Sequence, residues 1–246
     1  MEIQEAAIIE FVSTHQVWTA AVVTLVFAAL ARLVRGVTVS GSLAGAFVCF
    51  VLFATAGPGA FAALVLVFVL TWLATRFGYR RKHRLGKAES REGRNAFQVL
   101  ANLAVATLCA GLAASTGNAA FLIAMAAALS EAAADTVSSE LGQAQSGYVR
   151  LITTWETVPA GTDGGVSGIG TTAGVVASLI VSSACRLAGL LPRRELLIPA
   201  LAGISGMIID SYLGAVFERR RMLNNNWVNF LSTLAAAGIA FLLARG

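Results

Sequence analysis

The stretch EAAADTVSSELGQ at residues 131–143 closes an apolar run, AAFLIAMAAALS, with three carboxylates: Glu131, Asp135 and Glu140. A charge at the edge of a hydrocarbon layer is costly, and where it is kept it usually faces a bundle interior and serves function. Asp210, in IIDSYLG, repeats the pattern near the end of another apolar run. At 100° per residue, Glu131, Asp135 and Ser138 share one helical face, as do Gly203, Gly206, Asp210 and Gly214. Carboxylates converging on one side suit Mg2+, an ion that takes oxygen ligands and is shared with substrate phosphates. Asp135 and Asp210 are the expected ligands, with Glu140 as a third.

Two other segments carry groups that favour phosphate. PAGTDGGVSGIGTT at 159–172 places Gly161, Thr162, Gly164, Gly165, Ser167, Gly170 and Thr171 just before an apolar run. Glycines there let backbone N–H groups turn toward an anion, ahead of a helix N-terminus that favours negative charge. KAESREGRN at 87–95 holds Lys87, Glu89, Ser90, Arg91, Arg94 and Asn95. Its cations pair with phosphate, and arginine can bind two oxygens at once. Asn95, Gln98 and Asn102 form a polar stripe beyond it, and Asn225, Asn229 and Ser232 form another. There is no GxxxxGK[ST], no GxSxG and no HExxH, so P-loop, serine-nucleophile and zinc-protease chemistry find no support. Two histidines and three scattered cysteines, with no CxxC, argue against a zinc site.

The elements that must position these groups are membrane helices. The 246 residues are 57% hydrophobic and only 13% charged, against about 25% charged in soluble domains. Apolar runs at 17–34, 42–56, 59–77, 97–114, 118–135, 168–188, 196–217 and 227–244 predict an all-α, polytopic integral membrane bundle of about eight helices, six at the least. The segment 42–56 is short enough to be re-entrant or tilted. The acidic start, with Glu2, Glu5 and Glu10, is not a signal-peptide pattern, so the first span is expected to stay in place. One domain is expected over 1–246, with polar loops at 78–96, 136–167 and 218–226. Most of the 18 Lys and Arg residues fall on one set of loops, which the positive-inside rule makes cytoplasmic, with both termini outside. In a bacterial cell the membrane would be the inner one. The basic charge then marks topology and an anion site rather than a nucleic-acid surface. Gly41 and Gly45 have the spacing of a helix-packing motif, within one chain or between two copies in a homodimer.

Five segments in order, GKAESREGRNAFQVLAN, EAAADTVSSELGQ, PAGTDGGVSGIGTTAG, IIDSYLGAVFERR and NNNWVNFLST, resemble the integral membrane family known as domain of unknown function 92. The similarity runs from about Val37 to Ala240. The family includes plant and cyanobacterial phytyl-phosphate kinase and animal transmembrane protein 19. The resemblance implies a prenyl-phosphate kinase with Mg2+, moving the γ-phosphoryl of CTP or another nucleoside triphosphate to an isoprenyl monophosphate within the membrane lipids. The matching positions add Ser139, Ser211, Gly214, Asn225 and Asn229 to the residues above. In this scheme Lys87, Arg91 and Arg94 neutralise phosphates, the 161–171 loop cradles one, and Asn95, Gln98 and Asn102 orient oxygens. Two alternatives stand beside it, and the same residues could serve the first. One is a CTP-dependent lipid cytidylyltransferase. The other is a secondary transporter, which predicts internal repeats and a midplane site.

Overall fold

The computed structural model describes residues 2–86, 88–145, 148–192 and 195–245, with side chains from residue 17 onward. Lys87, Arg193 and Arg194 lie outside the described residues. The chain folds as α1 (Glu2–Leu33), α2 (Val39–Arg76), α3 (Tyr79–Arg84), α4 (Ala96–Thr116), α5 (Ala120–Ala144), β1 (Val149–Leu151), β2 (Thr157–Val158), β3 (Gly165–Val166), α6 (Gly168–Leu187), α7 (Leu197–Leu213) and α8 (Asn225–Leu243). Helix α7 runs on into a π-helical turn at Gly214–Glu218. Among the described residues six helices are long and apolar enough to cross a membrane, and Val17–Leu33 of α1 is a shorter apolar segment.

Helix α2 is a hairpin. Gly57 takes φ +79° and ψ −175°, breaking the helix at Gly57-Pro58-Gly59, a conformation glycine adopts without strain. The Arg76 guanidinium returns to donate to Val34 O at 2.6 Å, so both ends of α2 lie at one face of the bundle. A Cβ on Gly59 would meet Ala188 O at 2.9 Å, so the hairpin tip packs beside the end of α6. The expected spans 42–56 and 59–77 are thus the two arms, and the first reaches the tip rather than re-entering.

Helix α5 is the central column, buried along most of Ala120–Val137. Its alanines let neighbours close in, and the facing positions are glycines. A Cβ on Gly203 would meet Ser130 Cβ at 2.9 Å, and one on Gly206 would meet Glu131 Cγ at 2.5 Å. The small-residue stripes therefore serve helix packing. Helix α5 continues to Ala144, so residues 136–144 are helix, and the expected loop 136–167 opens only after them. That loop is not wholly irregular. Strands β1–β3 form an antiparallel sheet in the order β2-β1-β3, pairing Val149 with Val158 and Leu151 with Gly165. Leu151, Ile152 and Ala215 form its own small core. The all-α reading missed this sheet.

Four helices start at the same basic face, each with a side-chain cap that satisfies an orphan N–H. Thr38 caps α2, Asn95 α4, Ser167 α6 and Asn224 α8. Their positive dipole ends gather where the arginines are.

Candidate functional site

Two cavities open side by side at that face. The first, about 500 Å3, is polar and lies among α5, the sheet loop, α7 and the start of α8. Asp135, Asp210, Arg94 and the glycine loop line it. The second, about 480 Å3, is mostly apolar and lies between α1, the α2 hairpin and α4. Its mouth carries Arg35, Arg76, Arg80, Arg91 and Arg94. Arg94 and Glu89 belong to the walls of both cavities.

The position of Arg94 follows from its backbone. Residues 36–38 and 94 form a short bridge, with Arg94 N donating to Gly36 O at 3.1 Å and Thr38 N donating to Arg94 O at 3.0 Å. Gly41 makes room for it, since a Cβ there would run into the Arg94 carbonyl oxygen. The guanidinium donates to Thr136 Oγ1 at 3.4 Å and feels the Asp135 charge. Glu89 is held by Ser90 N at 2.9 Å and by Gln98 Nε2 at 3.0 Å.

Asp135 and Asp210 are half-buried, face the polar cavity, and lie within hydrogen-bonding reach of each other. Ser232 Oγ donates to Asp210 Oδ2 at 3.1 Å. Behind them Glu131 is 1% exposed, with Oε1 unpartnered. Among the described residues no cation stands within ion-pair distance of Glu131, Asp135 or Asp210. Their mutual repulsion asks for a counter-charge. The donors are all hard oxygens, which fits Mg2+ held by one or two carboxylates and completed by phosphate. The described residues contain no ready group of three His, Cys, Asp or Glu ligands, so a two-carboxylate set is what the geometry offers.

Glu140 lines the polar cavity, but both its oxygens are taken. Oε1 accepts from Thr75 Oγ1 at 3.0 Å, and Oε2 is paired with Lys82. Unlike Asp135 and Asp210, it is the partner of a buried lysine. Lys82, one of the basic run RRKHR at 80–84, is wholly buried and also donates to Ala74 O and Thr75 O at the end of α2. Asn95 and Gln98 are corrected in part. They form a reciprocal capping box at the start of α4, which occupies the groups expected to orient substrate. Asn102 is buried, donates to Gln98 O, and accepts from Asn229 Nδ2 at 3.3 Å. Gln98 and Asn102 still reach the wall of the apolar cavity.

The glycine loop is only partly an anion cradle. Gly165 N donates to Thr162 O at 2.8 Å and Gly170 N to Ser167 Oγ at 3.1 Å, so these amides are used within the loop. Gly170 lets α6 approach Ser138 O, and Gly164, at φ +76°, fits against Ala215 of the π turn. Gly161, Thr162, Ser167 and Thr171 line the polar cavity with Ser139, Ser211, Gly214, Asn225 and Asn229. Ser90 and Arg91 lie on the apolar cavity instead. Thr136, Arg35, Arg76 and Arg80 were not singled out in the sequence. Thr136 lies one residue from Asp135, and the arginines are visible there only as topology charges.

Known proteins extend this picture. The family described as integral membrane protein DUF92 matches residues 22–237. An uncharacterized membrane protein of Methanocaldococcus jannaschii is 37% identical over 183 residues, 73% of this chain and 74% of that one. The chloroplastic protein VTE6 of Arabidopsis thaliana is 30% identical over 222 residues, 87% of this chain and 67% of its own length. An uncharacterized membrane protein of Synechocystis is 32% identical over 196 residues, 77% of this chain and 76% of the relative. No solved structure matches the chain significantly. With a match over most of its length, this multi-span integral membrane chain belongs to the DUF92 family.

Proposed function

We propose that this protein is a prenyl-phosphate kinase that moves the γ-phosphoryl of CTP, or another nucleoside triphosphate, to an isoprenyl monophosphate. The observation that carries the reading is the pair of cavities with one shared wall. An apolar cavity with a cationic mouth suits a lipid phosphate, and a polar cavity with two carboxylates suits a nucleotide triphosphate. Arg94 stands between them, where the two anions must meet. The resemblance to the phytyl-phosphate kinase branch of the family supports the same substrate class.

The chemistry needs little covalent help from the protein. An oxygen of the lipid phosphate attacks the γ-phosphorus. The bond from that phosphorus to its bridging oxygen breaks, and the nucleoside diphosphate leaves. The nucleophile is already anionic, so positioning and charge neutralisation decide the rate. Arg35, Arg76, Arg80 and Arg91 hold the acceptor phosphate at the mouth. Arg94 spans both phosphates with its planar guanidinium. Asp135 and Asp210 would hold Mg2+, which when bound offsets phosphate charge. Ser232 keeps Asp210 oriented. The rim of Gly161 and Thr162, with Asn225, faces the nucleotide. By the positive-inside rule this face is cytoplasmic, where nucleotide is available.

The test is transfer from γ-labelled CTP and ATP to isoprenyl monophosphates by purified protein with Mg2+. Label in a prenyl diphosphate, lost in Asp135→Asn, supports the reading. Pyrophosphate and a CDP-lipid instead would mean cytidylyl transfer and refute it.

A further inference from the structure

The apolar cavity has a floor. Phe27 and Phe68 line it, and their rings meet edge to face at 5.4 Å and 82°. Phe27 also packs against Phe61 at 5.6 Å and 88°, and Phe61 against Phe53 at 5.9 Å. Such edge contacts resist displacement more than aliphatic packing does. Phe27, Phe61 and Phe53 form one continuous plug linking α1 to both arms of the hairpin, while the Phe68 ring rises along the wall toward Gly36. Leu64 and Val67, buried beside it, complete the base. From Arg76 at the mouth to Leu64 at the base, the helical rise is about 18 Å. The hydrocarbon core of a bilayer is roughly 30 Å thick. A chain entering here therefore ends against protein partway across the membrane.

One wall position is open. Gly45 lines the cavity, and a Cβ built on it meets nothing within 4 Å. Gly41, one turn away, is closed by contact with the Arg94 carbonyl. The two glycines of the motif thus serve different ends within one chain. Gly41 seats Arg94, and Gly45 widens the slot.

We infer that this cavity is a measuring slot for one isoprenoid chain, with Phe27, backed by Phe61 and Phe53, setting its depth and Gly45 its width. This rests on the lipid-phosphate reading above. It names the group that sets chain-length selectivity. The occupant is a single-tailed isoprenyl monophosphate, because the arginines gather at one mouth above one mostly apolar cavity of about 480 Å3. A two-tailed phospholipid would have to place its second chain outside.

The experiment uses the full chain, purified in nanodiscs, with ten-, fifteen- and twenty-carbon isoprenyl monophosphates. Binding is measured without nucleotide by competition against a labelled fifteen-carbon monophosphate, and transfer is measured with CTP and ATP. Phe27→Ala should deepen the slot and raise the preference for twenty over ten carbons about tenfold. Gly45→Leu should lower it by a similar factor, since one misplaced methylene already costs about tenfold or more in a tight pocket. Phe27→Leu, a smaller change, should shift the ratio in the same direction as Phe27→Ala. A merely structural role would scale all lengths alike, and that result overturns the inference. Competition by phosphatidic acid as effective as that of the fifteen-carbon monophosphate overturns it too. Length-graded binding that shifts in both variants, with no transfer from either nucleotide, would uphold the slot while refuting the kinase. Transfer with an unshifted length profile would do the reverse.

Discussion

Lys82→Met should be among the more damaging single changes in this chain, and the reason is countable. The ammonium is wholly buried and donates to Ala74 O at 3.0 Å, Thr75 O at 2.8 Å and the Glu140 carboxylate. Its three donors are used, two on carbonyls at the end of α2 and one on α5. Methionine keeps the volume and removes all three. Removing one partner of a buried pair costs about 3–5 kcal/mol, because the other charge stays behind uncompensated. For a chain of this size that is a fall of about 6–20 °C in Tm, at roughly 2–4 °C per kcal/mol. The buried thiols Cys49, Cys109 and Cys185 are natural reporters. A thiol-reactive dye added to protein in detergent should fluoresce at the lower temperature. The double variant Lys82→Met with Glu140→Leu should recover a good part of the loss, because no charge is then stranded. In Glu140→Gln the Mg2+ concentration for half-maximal rate should stay as in wild type while Tm falls. A Tm for Lys82→Met within about 2–4 °C of wild type, or losses that simply add in the double variant, would refute the ion-pair argument. A raised Mg2+ requirement in Glu140→Gln would return Glu140 to the ligand set.

Asp135→Asn and Asp210→Asn should each lower the rate about 10²–10³-fold while leaving Tm near wild type, as read by transfer assay and dye unfolding together. Arg94→Lys should lose most of the rate, since a point charge cannot span two phosphates in one plane; unchanged kcat with both substrates saturating would count against the shared-wall role. Gly41→Ala touches neither cavity's chemistry, yet its Cβ must push the Arg94 carbonyl aside, so activity should drop with only a modest change in Tm. Gly164→Ala places a Cβ at φ +76° against Ala215, and strain of about 1–3 kcal/mol should appear as faster proteolysis within residues 148–166.

The spans were legible because apolar length is a strong signal, and GPG at 57–59 reads plainly as a reversal. What the sequence hid is where polar residues go once helices pack. Ser130, Glu131 and Thr136 look like the exit from a membrane. In the fold they remain inside helix α5, because Gly203 and Gly206 on α7 leave room for the helix to pass. Lys82 reads as one more positive charge in RRKHR. Its burial depends on Glu140, 58 residues away, and no local pattern announces such a pair. Strands β1–β3 are three, two and two residues long, too short for alternation to register. Asn95 and Gln98 form an Asn-x-x-Gln capping box, and a polar stripe conceals a cap when both fall on one face.

The two-cavity arrangement also explains why the acids, the arginines and the glycines are spread over five segments instead of one motif. In the proposed reaction a lipid phosphate is confined to the membrane surface, and a nucleoside triphosphate arrives from water. The site must border both phases, so no single loop can build it. Helix α5 brings Asp135 to the rim from the buried column, and α7 brings Asp210 beside it. The 36–38 bridge fixes Arg94 from the other side. Glycine contacts bring these elements together: Gly203 and Gly206 of α7 close on α5, and Gly41 closes on the Arg94 carbonyl. A transporter would need the polar path to continue toward the far face. Here the α5 stretch beyond Asp135 is buried and mostly alanine, and Phe27, at the inner part of the apolar cavity, is backed by Phe61 and Phe53. Acids, arginines and a glycine loop gathered at one face fit the proposed reaction better than passage.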